Sequence, residues 1–274
     1  MMLAHQGLEA ALRRIAAAGF DRIEIATEPP HLCSREYDPR VVRGWLDELG
    51  LRAPAGHGLY AHQSPNPAAL HDEQRRRSVQ TLASCFEPLL VVGAQYVVLH
   101  PTGYSKDYRD DLRQAHVDQV RKSMQELANI GRDAGIKLAW ENLPHHGASR
   151  PLHDMRELRT LIDDMPEHVG LCLDTTHTAI SGHDPLEQLN IAADRLFCLH
   201  LHDTDGQRDC HWVPGRGTID WDPFVARLDE LDFAGTRTLE VASTPETDDQ
   251  TLAQTFSVAR RWDARHAADG VGKG

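Results

Sequence analysis

Six short, largely apolar runs in this chain lead into a side chain that can hold a metal ion or move a proton. They are His57 (AGHGLY), His100 (VVLHP), Glu141 (AWEN), Asp174 (CLDTTH), His200 (CLHLHD) and Glu240 (TLEVAS). Three more residues extend the set. His177 follows Asp174 by three positions, and Asp209 and His211 are one residue apart in DCH, a spacing that turns both side chains to one side of an extended loop. Five imidazoles and four carboxylates suit Zn²⁺, Mn²⁺ or Fe²⁺ better than Ca²⁺ or Mg²⁺, which prefer shells made only of oxygen. One ion takes three or four protein ligands plus water, so nine donors overfill a single site. Two or three ions bridged by a carboxylate such as Glu141 would use them.

Such residues need a scaffold that brings successive segments to one place. Strand-like runs fall at residues 22–26, 51–57, 95–100, 137–141, 169–174, 196–201 and 236–241. Helix-like stretches lie at 8–18, 40–49, 69–91, 109–134, 155–165 and 223–231, with a last one from 249 to about 266. Gly19, Gly50, Gly93, Gly135 and Gly235 sit where a helix should stop before the next strand. Near-continuous apolar strands alternating with helices mean a parallel sheet covered by helices. Seven strands each precede a helix, and one more helix stands in front with only a stub, residues 1–5, before it. The expectation is a (β/α)8 TIM barrel whose first strand is missing or truncated; the alternative is an open doubly wound sheet. In a parallel barrel the active site lies at the C-terminal face, which is where the six run-ending residues fall.

Composition narrows the class. The 274 residues carry 41 acidic and 29 basic side chains, a formal charge of −12, with 41% hydrophobic and 26% charged residues. That suits one globular domain, expected over residues 1–266 with a frayed tail at 267–274. The acidic balance argues against a broad nucleic-acid footprint. No run approaches a membrane span, and no signal peptide is evident. Five cysteines, odd in number and without CxxC spacing, argue against a disulfide framework and for a reducing cytoplasm.

Three motifs carry a resemblance. ENLP at 141–144, LDTTHTAISGHDP at 173–185 and HLHDTDGQRDCHWVPGRGTIDW at 200–221 resemble the xylose isomerase-like TIM barrels, a family that holds sugar and sugar-phosphate isomerases and epimerases alongside endonuclease IV. The likeness runs from GFDRIEI to TLEVAS. In the isomerase branch it implies one divalent ion, manganese or zinc, held by Glu141, Asp174, His200 and Glu240. Glu141 and Glu240 would then move a proton on opposite faces of an enediolate. His177 would be a substrate contact or a ligand to a second ion. In the endonuclease IV branch it implies all nine residues as ligands to three zinc ions at a phosphodiester. The chain has all nine, but it reads HPT and DTTH where that branch usually has HPG and DTCH.

The resemblance implies a small sugar or sugar phosphate as partner, nucleic acid only under the endonuclease reading, no membrane, and a possible homo-oligomer. Asn142, His177, Trp212 and Arg216 are the candidate substrate contacts, Arg216 for a phosphate and Trp212, with Trp140, for stacking on a sugar ring or plain packing. His202 is read as a support to the site. His145, His146 and His183 fall in mouth loops, and Glu24 is read as a cap to the barrel mouth. Tyr60 stands where a residue penetrating a duplex would sit, and Arg75–Arg77 is read as a solvated helix face.

Overall fold

The computed structural model describes residues 2–28, 32, 37–60, 65–103, 108–145 and 150–270. After α1 (Leu8–Ala17) come β1 (Arg22–Ala26), α2 (Pro39–Leu49), β2 (Arg52–His57), α3 (Asp72–Ala83) and α4 (Phe86–Val92). β3 (Tyr96–Leu99) leads to α5 (Arg113–Ala134), β4 (Lys137–Glu141), α6 (Met155–Ile162) and β5 (Val169–Asp174). Then follow α7 (Thr175–Ile180), α8 (Pro185–Ala192), β6 (Leu196–His200), α9 (Trp221–Glu230), β7 (Thr236–Thr238) and α10 (Asp248–Gly270).

The strands pair in sequence order, β1 through β7, all parallel. A doubly wound sheet reverses its order at a switch point; this one never does, and it curls into a nearly closed barrel. β1 and β7 are its two edges and are not paired through their backbones. Residues 2–6 form turns and no strand. They lock the front of the chain to its last helix instead. Buried Leu3 packs with Ala11 and Leu252, while Asp248 accepts from Gln6 Nε2 at 2.8 Å and Arg14 at 2.7 Å and lies 3.0 Å from His5 Nε2.

Side chains alternate across each strand. Ala55, Val98, Ala139, Cys172 and Cys198 make a small inner cluster, whereas Val97, Leu99, Leu138, Trp140, Leu171, Leu173 and Leu199 join the larger core that the helices cover. Trp140, adjacent to Glu141 and therefore on the opposite face, is fully buried in that outer core, so it packs and does not stack on a substrate. The four cysteines among the described residues are free; Cys33 lies outside them.

Several element bounds differ from the sequence expectation for local reasons. The single helix expected over 69–91 is two, α3 and α4, broken at Ser84 and Cys85. Pro88 lacks an N–H and its ring would strike the carbonyl four residues back, so the helix must restart just before it. Gly50 and Gly135 do end α2 and α5 in the left-handed conformation. Gly235 does not end α9: Asp232 takes the positive φ there, and Gly235 is instead needed where a Cβ would lie 2.2 Å from the Phe197 carbonyl oxygen. β7 stops at Thr238, so Glu240 lies beyond the strand and not at its end. The helix expected after the fifth strand is two, α7 and α8. Asp174 caps α7 by accepting from His177 N at 2.7 Å, which ties the two site residues together.

The arginine run is not a uniform solvated face. Arg75 is 2% exposed and donates to Asp72 at 3.0 Å and Glu126 at 2.7 Å. Arg76 and Arg77 make exposed i,i+4 pairs. Replacing Arg75 with alanine is expected to cost about 2 kcal/mol, and Arg76 or Arg77 under about 0.5 kcal/mol, by chemical denaturation.

Candidate metal centre

The two-residue strand period builds the site. Ala55, Val98, Ala139, Cys172 and Cys198 floor the barrel interior, and two positions further along lie His57, His100, Glu141, Asp174 and His200. Each therefore rises from the inner face one layer above the floor. Three groups of donor atoms come within 4.8 Å of one another: His57, His100 and Glu141; Glu141, Asp174, His200 and Glu240; and His202, His211 and Glu240.

Glu141 joins the first two. Its Oε2 lies 3.0 Å from His100 Nε2 and 3.3 Å from His57 Nε2; its Oε1 lies 3.1 Å from His200 Nδ1. Glu240 Oε2 meets the same His200 Nδ1 at 3.0 Å. Asp209 Oδ2 stands 3.3 Å from His177 Nε2 and 3.4 Å from His211 Nε2. All nine predicted residues thus gather at one mouth.

Ring orientation shows which nitrogen each histidine presents. A carbonyl oxygen can only accept, so Nδ1 must carry the proton where it meets one. His57 Nδ1 donates to Gly58 O at 2.9 Å, His177 Nδ1 to Asn142 O at 3.0 Å, and His211 Nδ1 to Glu240 O at 2.8 Å. In all three, Nε2 is left facing a carboxylate. Backbone tethers of this kind orient metal-binding imidazoles.

The donor set fits divalent cations. Glu141 and Asp174 are buried, Glu24 and Glu240 half-buried and Asp209 exposed, and among the described residues no lysine or arginine forms an ion pair with any of these carboxylates. Among the described residues the side chains that can bring positive charge to them are imidazoles, and His202 Nδ1 is buried with no hydrogen-bond partner. Buried carboxylates need compensating positive charge, which protons on the imidazoles or metal ions can supply. Burial pushes Glu141 and Glu240 up, but the surrounding histidines outweigh it and hold both carboxyls well below their usual range.

A pH prediction follows from the same contacts. Burial lowers His57 and His211, yet Glu141 and Asp209 respectively raise each to about 9. A folded-state value above the unfolded ~6.5 gives stability that is complete below ~6.5 and is lost as pH rises through about 9. His100, which burial pushes down to about 4, is neutral across that window. The chelated protein should therefore lose several degrees of Tm between pH 6.5 and 9. The protein supplied with Mn²⁺ or Zn²⁺ should not, because bound ions would replace those protons. Scanning calorimetry with and without chelator checks this; equal slopes would contradict it.

The remaining candidates divide. The Asn142 amide ties the ends of β4 and β5, accepting from Asp174 N at 2.8 Å and donating to Asp174 O and Thr178 Oγ1 at 3.2 and 3.0 Å. Trp212 bridges in antiparallel fashion to Asp203, and the Arg216 guanidinium lies over its ring at 5.1 Å. His202 Nε2 is 2.8 Å from Asp174 Oδ2, and its ring stacks on His211 at 4.2 Å. The Tyr60 ring lies against His57 and His100 at 5.0 and 5.4 Å. His145 and His183 both contact His153 on the rim; His146 lies outside the described residues.

Two residues of the mouth escaped the sequence reading. Glu24, read there as a cap, reaches His200 Nε2 at 3.0 Å; a carboxylate inside the apolar strand RIEIA was the available signal. Asp203, which follows His202, is fully buried and organises the loop that carries Asp209 and His211. Nothing in its spacing distinguishes it from a solvated aspartate.

The chain belongs to the xylose isomerase-like TIM barrel family, whose model matches residues 12–262. It is similar to an L-ribulose 3-epimerase of Methylomonas sp., 29% identical with 93% of this chain and 85% of that protein covered. It is also similar to a probable endonuclease 4 of Trichlorobacter lovleyi, 23% identical with 90% and 92% covered. Among solved structures, a D-tagatose 3-epimerase-like protein superposes with a TM-score of 0.85 over 96% of both chains at 20% identity. That last likeness is one of fold.

Proposed function

We propose that this chain is a divalent-metal-dependent isomerase or epimerase of sugars or sugar phosphates, acting by proton transfer through an enediolate. The observation that carries the reading is the convergence of Glu141, Asp174, His200 and Glu240. Glu141 rises from β4 and Glu240 from beyond β7, so the two carboxylates reach the centre from different walls, with donor atoms within 4.8 Å of each other. One removes the proton from the carbon beside the carbonyl, and the other returns it from its own side. Glu141, Asp174, His200 and Glu240 would hold the ion, which when bound polarises the carbonyl and hydroxyl oxygens. Trp212 and Arg216 offer a ring face and a cation to a sugar and to an anionic group on it. The likeness to L-ribulose 3-epimerase supports the same class.

The test is solvent deuterium exchange into a panel of ketoses and ketose phosphates, with Mn²⁺ or Zn²⁺ supplied. Deuterium at the carbon next to the carbonyl is the expected result; none in any sugar would refute the reading. A second reading is favoured by one observation, the two further cation-capable groups His57–His100–Glu141 and His202–His211–Glu240, with Asp209 set between His177 and His211 beside them. It is a multinuclear zinc phosphodiesterase of the endonuclease IV type. Nicking of abasic-site DNA with two or three zinc ions per chain would establish it over the first.

A further inference from the structure

Three of the site histidines have Nδ1 tied to a backbone carbonyl and Nε2 left on a carboxylate. His200 is built the other way round. Its Nδ1 faces inward, 3.1 Å from Glu141 Oε1 and 3.0 Å from Glu240 Oε2. Among the described residues its Nε2 meets no carbonyl; it meets Glu24 Oε1 at 3.0 Å. The second oxygen of Glu24 is held by Thr238 Oγ1, which donates to it at 2.8 Å. Glu24 stands on β1 and its partners on β6 and β7, so this carboxylate reaches across the seam where the edge strands are not paired.

We infer that Glu24 is a positioning residue: it holds the proton of His200 on Nε2 and so dedicates Nδ1 to the cation between Glu141 and Glu240. For His200 it does what the carbonyls of Gly58, Asn142 and Glu240 do for the other three. Where those histidines turn to their own or a neighbouring loop for a fixed acceptor, His200 faces the open seam, and a side chain from the far edge supplies one. Thr238 fixes the rotation of that carboxylate, which makes Glu24 a directed acceptor and not a loose counter-charge. Glu24 is not among the cation-capable groups themselves, which separates its role from that of a ligand.

This inference rests on the metal-centre reading and is tested apart from it. Binding of Mn²⁺ and Zn²⁺ alone is measured by competition with a chromophoric chelator in the wild-type chain and in Glu24→Leu, Glu24→Gln and Thr238→Val. Loss of such an outer partner typically weakens metal binding about 10–100-fold, and that loss is expected for Glu24→Leu. Glu24→Gln, whose amide oxygen still accepts from Nε2–H, should recover most of the affinity, and Thr238→Val should fall between. Long-range ¹⁵N–¹H spectra of the zinc-loaded protein should show His200 protonated at Nε2 in the wild type and in Glu24→Gln. Wild-type affinity in a folded Glu24→Leu, or equal losses in the Leu and Gln variants, overturns the inference while leaving the metal centre intact. A wild-type chain that binds neither ion overturns both.

Discussion

Glu141→Gln should lose turnover by about 10³-fold or more and at the same time lose metal, because one carboxylate serves two donor groups and the proposed proton transfer. The change keeps the shape of the side chain and removes only its charge and half its acceptor capacity. Oε1 faces His200 and Oε2 faces His57 and His100, so whichever oxygen becomes nitrogen, one cluster of imidazoles meets a donor where it had an acceptor. Elemental analysis of protein purified without chelator, paired with the exchange assay, reads both effects. A variant with wild-type ion content and a wild-type rate would remove Glu141 from the centre. Loss of rate with full ion content would assign it to proton transfer alone.

The second large effect is expected at Asp203, through folding. Its Oδ1 accepts from Thr204 N at 2.9 Å and Ile219 N at 3.2 Å, and its Oδ2 from Gly215 N at 2.8 Å and Trp221 Nε1 at 3.0 Å. Asp203→Ala strands four donors around a fully buried position, at a cost of about 3–5 kcal/mol or roughly 10 °C in Tm. The loop between Thr204 and Thr218 should loosen first and take Asp209 and His211 with it. Gly217 belongs to the same arrangement, since a Cβ there would lie 2.1 Å from Thr204 O and 2.4 Å from Asp203 Oδ1. Limited proteolysis should therefore cut Asp203→Ala within that loop while the wild type resists. An unchanged Tm and cleavage pattern would show that water replaces the carboxylate without loss.

The barrel was legible in the sequence because near-continuous apolar runs alternate with helical stretches, six of those runs leading into a residue able to do chemistry. The structure then sets Ala139 and Glu141, or Cys198 and His200, on one inner face. What the sequence hid were contacts made across the fold. Glu24 looks like any strand carboxylate until β6 and β7 are placed beside it, and Asp203 looks solvated until the loop folds back over it. Arg75 reads as one of three surface arginines until α5 supplies Glu126. Bounds failed where one residue overrode the pattern, as Pro88 did in dividing α3 from α4.

His211 has one property that bears on how the centre is readied. It sits at φ 47°, a conformation that costs an ordinary L-residue about 1–2 kcal/mol and glycine almost nothing. The backbone holds it there through Ala242 N donating to His211 O at 2.9 Å. Glycine at this position should therefore make a more stable protein than alanine by about 1 kcal/mol, the reverse of their order in a helix. Equal stabilities would mean the loop relaxes once the imidazole is gone. Were an ion to bind here, the donor would already be aimed, and the reorganisation that binding otherwise requires would have been completed when the chain folded.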